Sequence, residues 1–112
     1  MALTLSATSI IGDDVRNDAG EALGSIKDIM LDTSTGRIEY AVLQFGGVMF
    51  VGDKLFAVPW DQFTVDTAKK ELVLNVPKER LKDAPGFDKD NWPNFADQAY
   101  RTELSGYYGA AH

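Results

Sequence analysis

Between Phe45 and Trp60 the chain reads FGGVMFVGDKLFAVPW, and this stretch limits the fold more than any other. Gly46-Gly47 and Gly52-Asp53 interrupt two apolar runs, and Pro59 follows the second. A continuous helix is excluded, because the glycines cost backbone entropy and proline has no N–H to bond. The stretch reads as a strand end, an apolar loop tethered by glycines, and a buried strand over Leu55 to Val58. That strand stops at Pro59, which cannot donate to a ladder.

The same grammar extends on both sides. Residues 1–10 scatter Leu3, Leu5 and Ile10 among Ser and Thr, as a ragged lead-in or a first strand. Asp18-Ala19-Gly20-Glu21 supplies the backbone freedom of a hairpin corner. Leu23 to Asp32 is rich in Ile, Leu and Met without clean alternation, as for a strand partly covered on both faces. Thr33-Ser34-Thr35-Gly36 is a second turn, with a glycine able to take positive φ. Ile38 to Phe45 alternates and is rich in β-branched and aromatic residues, which favours a strand. Phe63-Thr64-Val65 and Leu72 to Val76 form a further pair joined by residues 66–70. About six short strands with turns this frequent indicate a small barrel or sandwich.

After Val76 the pattern changes. Pro77 opens a short helix over Lys78-Glu79-Arg80-Leu81-Lys82, which Pro85-Gly86 stops. Asn91 is expected to cap a second helix, with Pro93 in its first turn and a stripe of Phe95, Ala96, Ala99, Tyr100 and Leu104. Ser105 to Gly109 is expected to be mobile unless something binds it. The chain divides into a β-rich unit, 1–88, and a C-terminal helical extension and tail, 89–112.

At 112 residues there is room for one core, and 45% hydrophobic residues suffice to fill it. A net charge of −6 argues against wide contact with a phosphate backbone, so neither DNA nor RNA is an expected partner. Residues 33–82 hold seven bases against six acids, and Lys78, Arg80 and Lys82 are read as the solvated side of a short helix. There is no cysteine, hence no disulfide, thiolate nucleophile or cysteine-based zinc site. Residues 1–7 do not read as a secretory leader, and no apolar run in the sequence reaches the roughly 20 residues needed to span a bilayer. A soluble cytoplasmic protein is expected.

Catalytic motifs fail one by one. His112 is the only histidine, so neither a Ser-His-Asp triad nor an internal histidine metal cluster can be built. The glycines at 46, 47 and 52 match neither the Walker nor the dinucleotide fingerprint. Asp88-Lys89-Asp90-Asn91-Trp92-Pro93 begins like a calcium loop but lacks its glycine and distal glutamate. Asp13-Asp14, Asp28 with Asp32, and Asp88 with Asp90 are the paired carboxylates, more simply read as turn and surface acids. No enzyme, no cofactor and no metal is expected.

The chain resembles the PRC-barrel family over roughly residues 6–92. The resemblance rests on Ile11-Gly12 with Val15, on Gly20-Glu21 with Leu23-Gly24 and Ile26-Lys27-Asp28, and on Asp32 with Thr35-Gly36-Arg37-Ile38 and Tyr40. It continues through Phe45-Gly46-Gly47, Gly52-Asp53-Lys54-Leu55-Phe56-Ala57-Val58-Pro59-Trp60 and Leu81 with Ala84-Pro85-Gly86-Phe87. The family includes the cytoplasmic part of the photosynthetic reaction centre H subunit and the C-terminal domain of a small-subunit ribosome maturation factor. Phe50 departs from its pattern, which commonly has glycine there.

The resemblance implies an all-β, about six-stranded PRC-like barrel, with a short helix after the last strand and the C-terminal helical extension. With no transmembrane segment in the chain, it is most similar to the free-standing bacterial members. The expected function is a non-enzymatic protein–protein interaction or assembly module, homodimeric and docking on an unidentified protein. Apolar groups beyond what the barrel absorbs mark the candidate interface: Val48, Met49 and Phe50 on the loop, and Trp92, Phe95, Tyr100 and Tyr107 beyond the barrel. The same C-terminal residues would equally fold over an open end of their own barrel. Two alternatives are a small-ligand or metal-ion carrier with its site at the barrel mouth near Asp53, and a ribosome-associated factor by family analogy.

Overall fold

The computed structural model describes residues 5–45, 54–66, 68–88 and 90–108. A single helical turn, α1 (Ala7–Ile10), stands where a lead-in or first strand was expected, and its Ile10 enters the core. Seven strands follow: β1 (Asp14–Arg16), β2 (Ala22–Asp32), β3 (Arg37–Phe45), β4 (Lys54–Pro59), β5 (Phe63–Asp66), β6 (Glu71–Leu74) and β7 (Phe87–Asp88). Helix α2 (Lys78–Lys82) separates β6 from β7, and α3 (Gln98–Tyr108) ends the described chain.

All seven strands belong to one sheet in the order β5-β6-β1-β2-β3-β4-β7. Every pairing is antiparallel except β1 with β6, which is parallel. Among the described residues the terminal strands β5 and β7 are not paired with each other, so the barrel-like sheet is open there. Register shifts in β2 between Ile26 and Asp28 and between Met30 and Leu31 add local twist, which lets the sheet curl. Val15, Ile26, Leu43, Phe56, Leu72 and Leu74, drawn from five strands, share one buried cluster that a flat sheet could not assemble.

Gly24 sits at the tightest point of this wall. Its φ is +145°, and a Cβ there would lie 2.0 Å from the carbonyl oxygen of Gln44. Only glycine allows β2 and β3 to approach so closely. The polar side of the wall is well matched. Buried Asn17 accepts from the Glu21 N–H at 3.0 Å and donates to Glu21 Oε1 at 2.7 Å and to the Val76 carbonyl at 3.3 Å. Arg16 pairs with Glu71 at 3.0 Å and Asp66 at 3.4 Å, tying β1 to β6 and β5.

Strands β3 and β4 are buried on both faces. Their register sets Ala41, Leu43, Phe56 and Val58 on one face and Tyr40, Val42, Leu55 and Ala57 on the other. All eight are 5% exposed or less. The second face is closed by the C-terminal segment: Phe87 lies opposite Leu55, Phe95 packs on Tyr40 with ring centroids 6.0 Å apart, and α3 lies against β4. Leu104 and Tyr108 of α3 are buried there.

This corrects two expectations. Helix α3 begins at Gln98, not after Asn91: Asp97 caps it, its Oδ1 accepting the Ala99 N–H at 3.1 Å, while residues 91–97 turn. Ser105 to Tyr108, expected to be mobile, form the last turn of α3, because Tyr108 gains burial by continuing the helix. The two-residue β7 was also unforeseen; it is too short to carry an alternation pattern.

Candidate functional site

The β2–β3 turn builds one wall of a groove. Asp32 Oδ1 accepts the backbone N–H of Ser34 at 2.9 Å and its hydroxyl at 2.6 Å. These bonds hold the Asp32 carboxyl below the usual carboxylate range. Gly36, at φ +76°, closes the turn by donating its N–H to the Asp32 carbonyl at 2.7 Å. Thr35 Oγ1 accepts the Arg37 N–H at 3.2 Å and starts β3.

The opposite wall follows from Pro59. Because proline ends β4, the chain turns through one 3₁₀ turn, Trp60–Gln62, and sets half-buried Trp60 and exposed Asp61 beside the groove. Trp60 is braced by Phe63, with centroids 5.8 Å apart. Arg101 and Ser105 of α3 complete a space of about 410 Å³.

Arg101 organises the interior. Its Nη2 donates to Glu39 Oε2 at 2.7 Å, and its guanidinium lies 5.6 Å from the Tyr40 ring centroid. The Glu39 bond raises the Arg101 pKa, and burial raises that of Tyr40. Three carboxylates (Asp32, Glu39 and Asp61) line the groove against two guanidinium groups, Arg37 and Arg101. Asp61 makes no hydrogen bond or ion pair among the described residues. The arrangement can hold charge and stack planar groups; the described residues contain no cluster of three His, Cys, Asp or Glu that could hold a metal ion.

The residues singled out from the sequence are distributed differently. Val48, Met49 and Phe50, with Asp53 at the proposed barrel mouth, lie outside the described residues. Phe95 and Tyr100 pack edge to face at 5.9 Å, and Phe95 also meets Phe87 at 6.1 Å. Trp92 lies 5.2 Å from Phe87 and is 37% exposed, the open end of this ring cluster. Tyr107 is half-buried beside Tyr108, with the Arg80 guanidinium 4.6 Å from its ring. Arg80 also donates to the Tyr107 carbonyl and accepts from its hydroxyl through its own carbonyl. Arg80 is therefore bound to α3 and forms no free basic patch with Lys78 and Lys82.

Sequence reasoning missed Glu39, Trp60, Asp61 and Arg101 as one site. Glu39 and Arg101 are 62 positions apart, and nothing local in either segment announces the other.

An open, curled antiparallel sheet with one parallel pair and a helix-covered outer face defines a small barrel-like domain. A family model described as PRC-barrel domain matches residues 4–81. The chain belongs to the PRC-barrel domain family. No curated protein matches it. Membership suggests a small interaction or assembly module. No described helix is long and apolar enough to cross a membrane. The match covers β1 to β6 and reaches Leu81; the ring cluster and α3 lie beyond it.

Proposed function

We propose that the chain is a non-catalytic, cytoplasmic interaction module that pairs with a second copy of itself and docks on a further protein. The supporting observation is what stays outside the core: Leu31 is 60% exposed, Leu5 42%, Ile11 38% and Trp92 37%. Trp92 is held by Phe87 and Phe95, so its ring is presented in one orientation and loses little freedom on contact. A rigid aromatic of this kind is a suitable anchor for an isologous pair.

Sedimentation of the full chain across the micromolar range tests the pairing. A concentration-dependent dimer is expected, and Trp92→Ser should weaken it by about tenfold, equivalent to about 1.4 kcal/mol. A strict monomer at several hundred micromolar would remove the self-pairing clause. No observation favours the ligand carrier at Asp53 or ribosome association, so neither is carried further.

A further inference from the structure

We propose that the groove between the β2–β3 turn, the end of β4 and α3 receives an arginine side chain of a partner protein, with an apolar neighbour of that arginine resting on Leu31 and Ile38. This rests on the reading of the chain as an interaction module and names the chemistry of its partner.

Four observations meet at this place. The groove, at about 410 Å³, falls in the roughly 300–1,000 Å³ range of side-chain and ligand sites. Its carboxylates outnumber its guanidinium groups, and Arg101 is already committed to Glu39 at 2.7 Å. Asp61 has no bonding partner among the described residues, follows Trp60 in the chain and lines the groove with it. Leu31, the most exposed large apolar residue described, pairs in register with Ile38, which lines the groove.

The groove already displays how it would hold such a group. Arg101 lines it, bonded to the Glu39 carboxylate at 2.7 Å with its guanidinium 5.6 Å from the Tyr40 ring centroid. Trp60 and Asp61 line the same groove and supply an aromatic ring and a carboxylate, and among the described residues neither takes part in a cation–π contact or an ion pair. A guanidinium fits both: it is planar, weakly hydrated, and stacks while its N–H groups bond a carboxylate. An ammonium is more strongly hydrated and has no plane to stack. An anion would meet the excess of carboxylates, and the described residues offer no three-ligand set for a metal ion. Arg37 stands on the exposed rim and sets the remaining opposition to a cation.

The test uses the full chain carrying Trp92→Phe, which leaves Trp60 as its sole indole. The probe is the capped dipeptide N-acetyl-leucyl-arginine amide. Saturable change in Trp60 fluorescence with a Kd of order 1 mM is expected, as for a single side-chain anchor. Asp61→Asn should raise that Kd at least about fivefold, and Arg37→Gln should lower it about twofold by removing the opposing charge. Asp61 is exposed and unbonded among the described residues, so its substitution leaves the fold intact, which the far-ultraviolet dichroism will verify. The same peptide with citrulline replacing arginine should bind at least about tenfold more weakly.

Equal binding of the citrulline or lysine peptide, or no saturation by about 20 mM, overturns the assignment. Sedimentation of the unsubstituted chain, which keeps Trp92, with and without the peptide separates the two readings. A chain that pairs with itself but ignores the peptide loses the groove assignment alone. A monomer that binds the peptide keeps the groove and loses the self-pairing.

Discussion

The family-matched barrel, residues 4–81, and the C-terminal segment from Phe87 to Tyr108 bury their surfaces by different means. In the barrel each strand is specified twice, by ladder bonds and by an aliphatic inner face, and its buried polar group Asn17 is bonded at both ends. The C-terminal segment has one two-residue strand and relies on rings: Phe87, Trp92, Phe95 and Tyr100 touch in series. Its cost is visible, because the Tyr100 and Tyr108 hydroxyls are buried without a partner among the described residues. Rings supply area without the directional bonds that fix register. The C-terminal segment should therefore open before the barrel does.

The largest effect is expected in the barrel wall. Gly24→Ala forces a methyl to within 2.0 Å of the Gln44 carbonyl at a φ of +145°. A loss of at least about 3 kcal/mol in denaturant unfolding is expected, or no folded protein. A loss below about 1 kcal/mol would mean that β2 and β3 can separate there at little cost.

Leu104→Ala asks whether the two regions are separable. Removing this fully buried side chain should cost about 2–4 kcal/mol of helix docking. Hydrogen exchange should then show lost protection in α3 while Leu72 and Leu74 of β6 keep theirs. Equal loss in both would make barrel and helix one cooperative unit and erase the distinction.

Tyr108→Phe should act in the opposite direction. Deleting a buried hydroxyl that has no partner among the described residues is expected to add about 1 kcal/mol of stability, read as a higher unfolding midpoint. A loss of stability instead would show that the hydroxyl is bonded.

Alkaline pH probes the same contrast. Burial pushes the Tyr100 phenol from 10.0 up to about 12, and raises Tyr108 as well. Below pH 10 both are neutral in folded and unfolded chains, and stability is level on their account. Above 10 the unfolded chain releases these protons while the folded chain keeps them, so stability falls as pH rises toward 12. Tyr108→Phe should make that fall shallower; an unchanged slope would exclude Tyr108 as its source.

The smallest effect belongs to the groove. Glu39→Gln removes the partner of Arg101, but both side chains are a quarter to a third exposed, so only about 0.5 kcal/mol is expected in thermal unfolding. A loss several times larger would make this pair, and not the rings, the main attachment of α3.

The strands β2 to β6 were legible because each carries its own signal: Thr33 to Gly36 demands a turn, Pro59 stops a strand, and Leu72 and Leu74 alternate. The end of the chain was less so. Helix α3 was expected to start after Asn91, but Phe95 is drawn onto Tyr40 and Asp97 takes the cap. The same apolar stripe, read along the chain, fits a partner surface as well as the chain's own sheet. Its destination depends on whether the outer face of β3 and β4 is free, which neither segment records. The groove was not legible at all, because Asp32, Trp60 and Arg101 approach only after two turns and a helix have been placed.

The sequence by itself determined the family and the strand-rich barrel, since these follow from residue type and local spacing. Tertiary structure alone decided the position of α3, the burial of Tyr108 and of the Tyr100 hydroxyl, and the meeting of Arg101 with Glu39. The physical reason is range. Turn and strand preferences act over a few residues, whereas burial and ion pairing act through space between segments whose separation only the folded sheet sets.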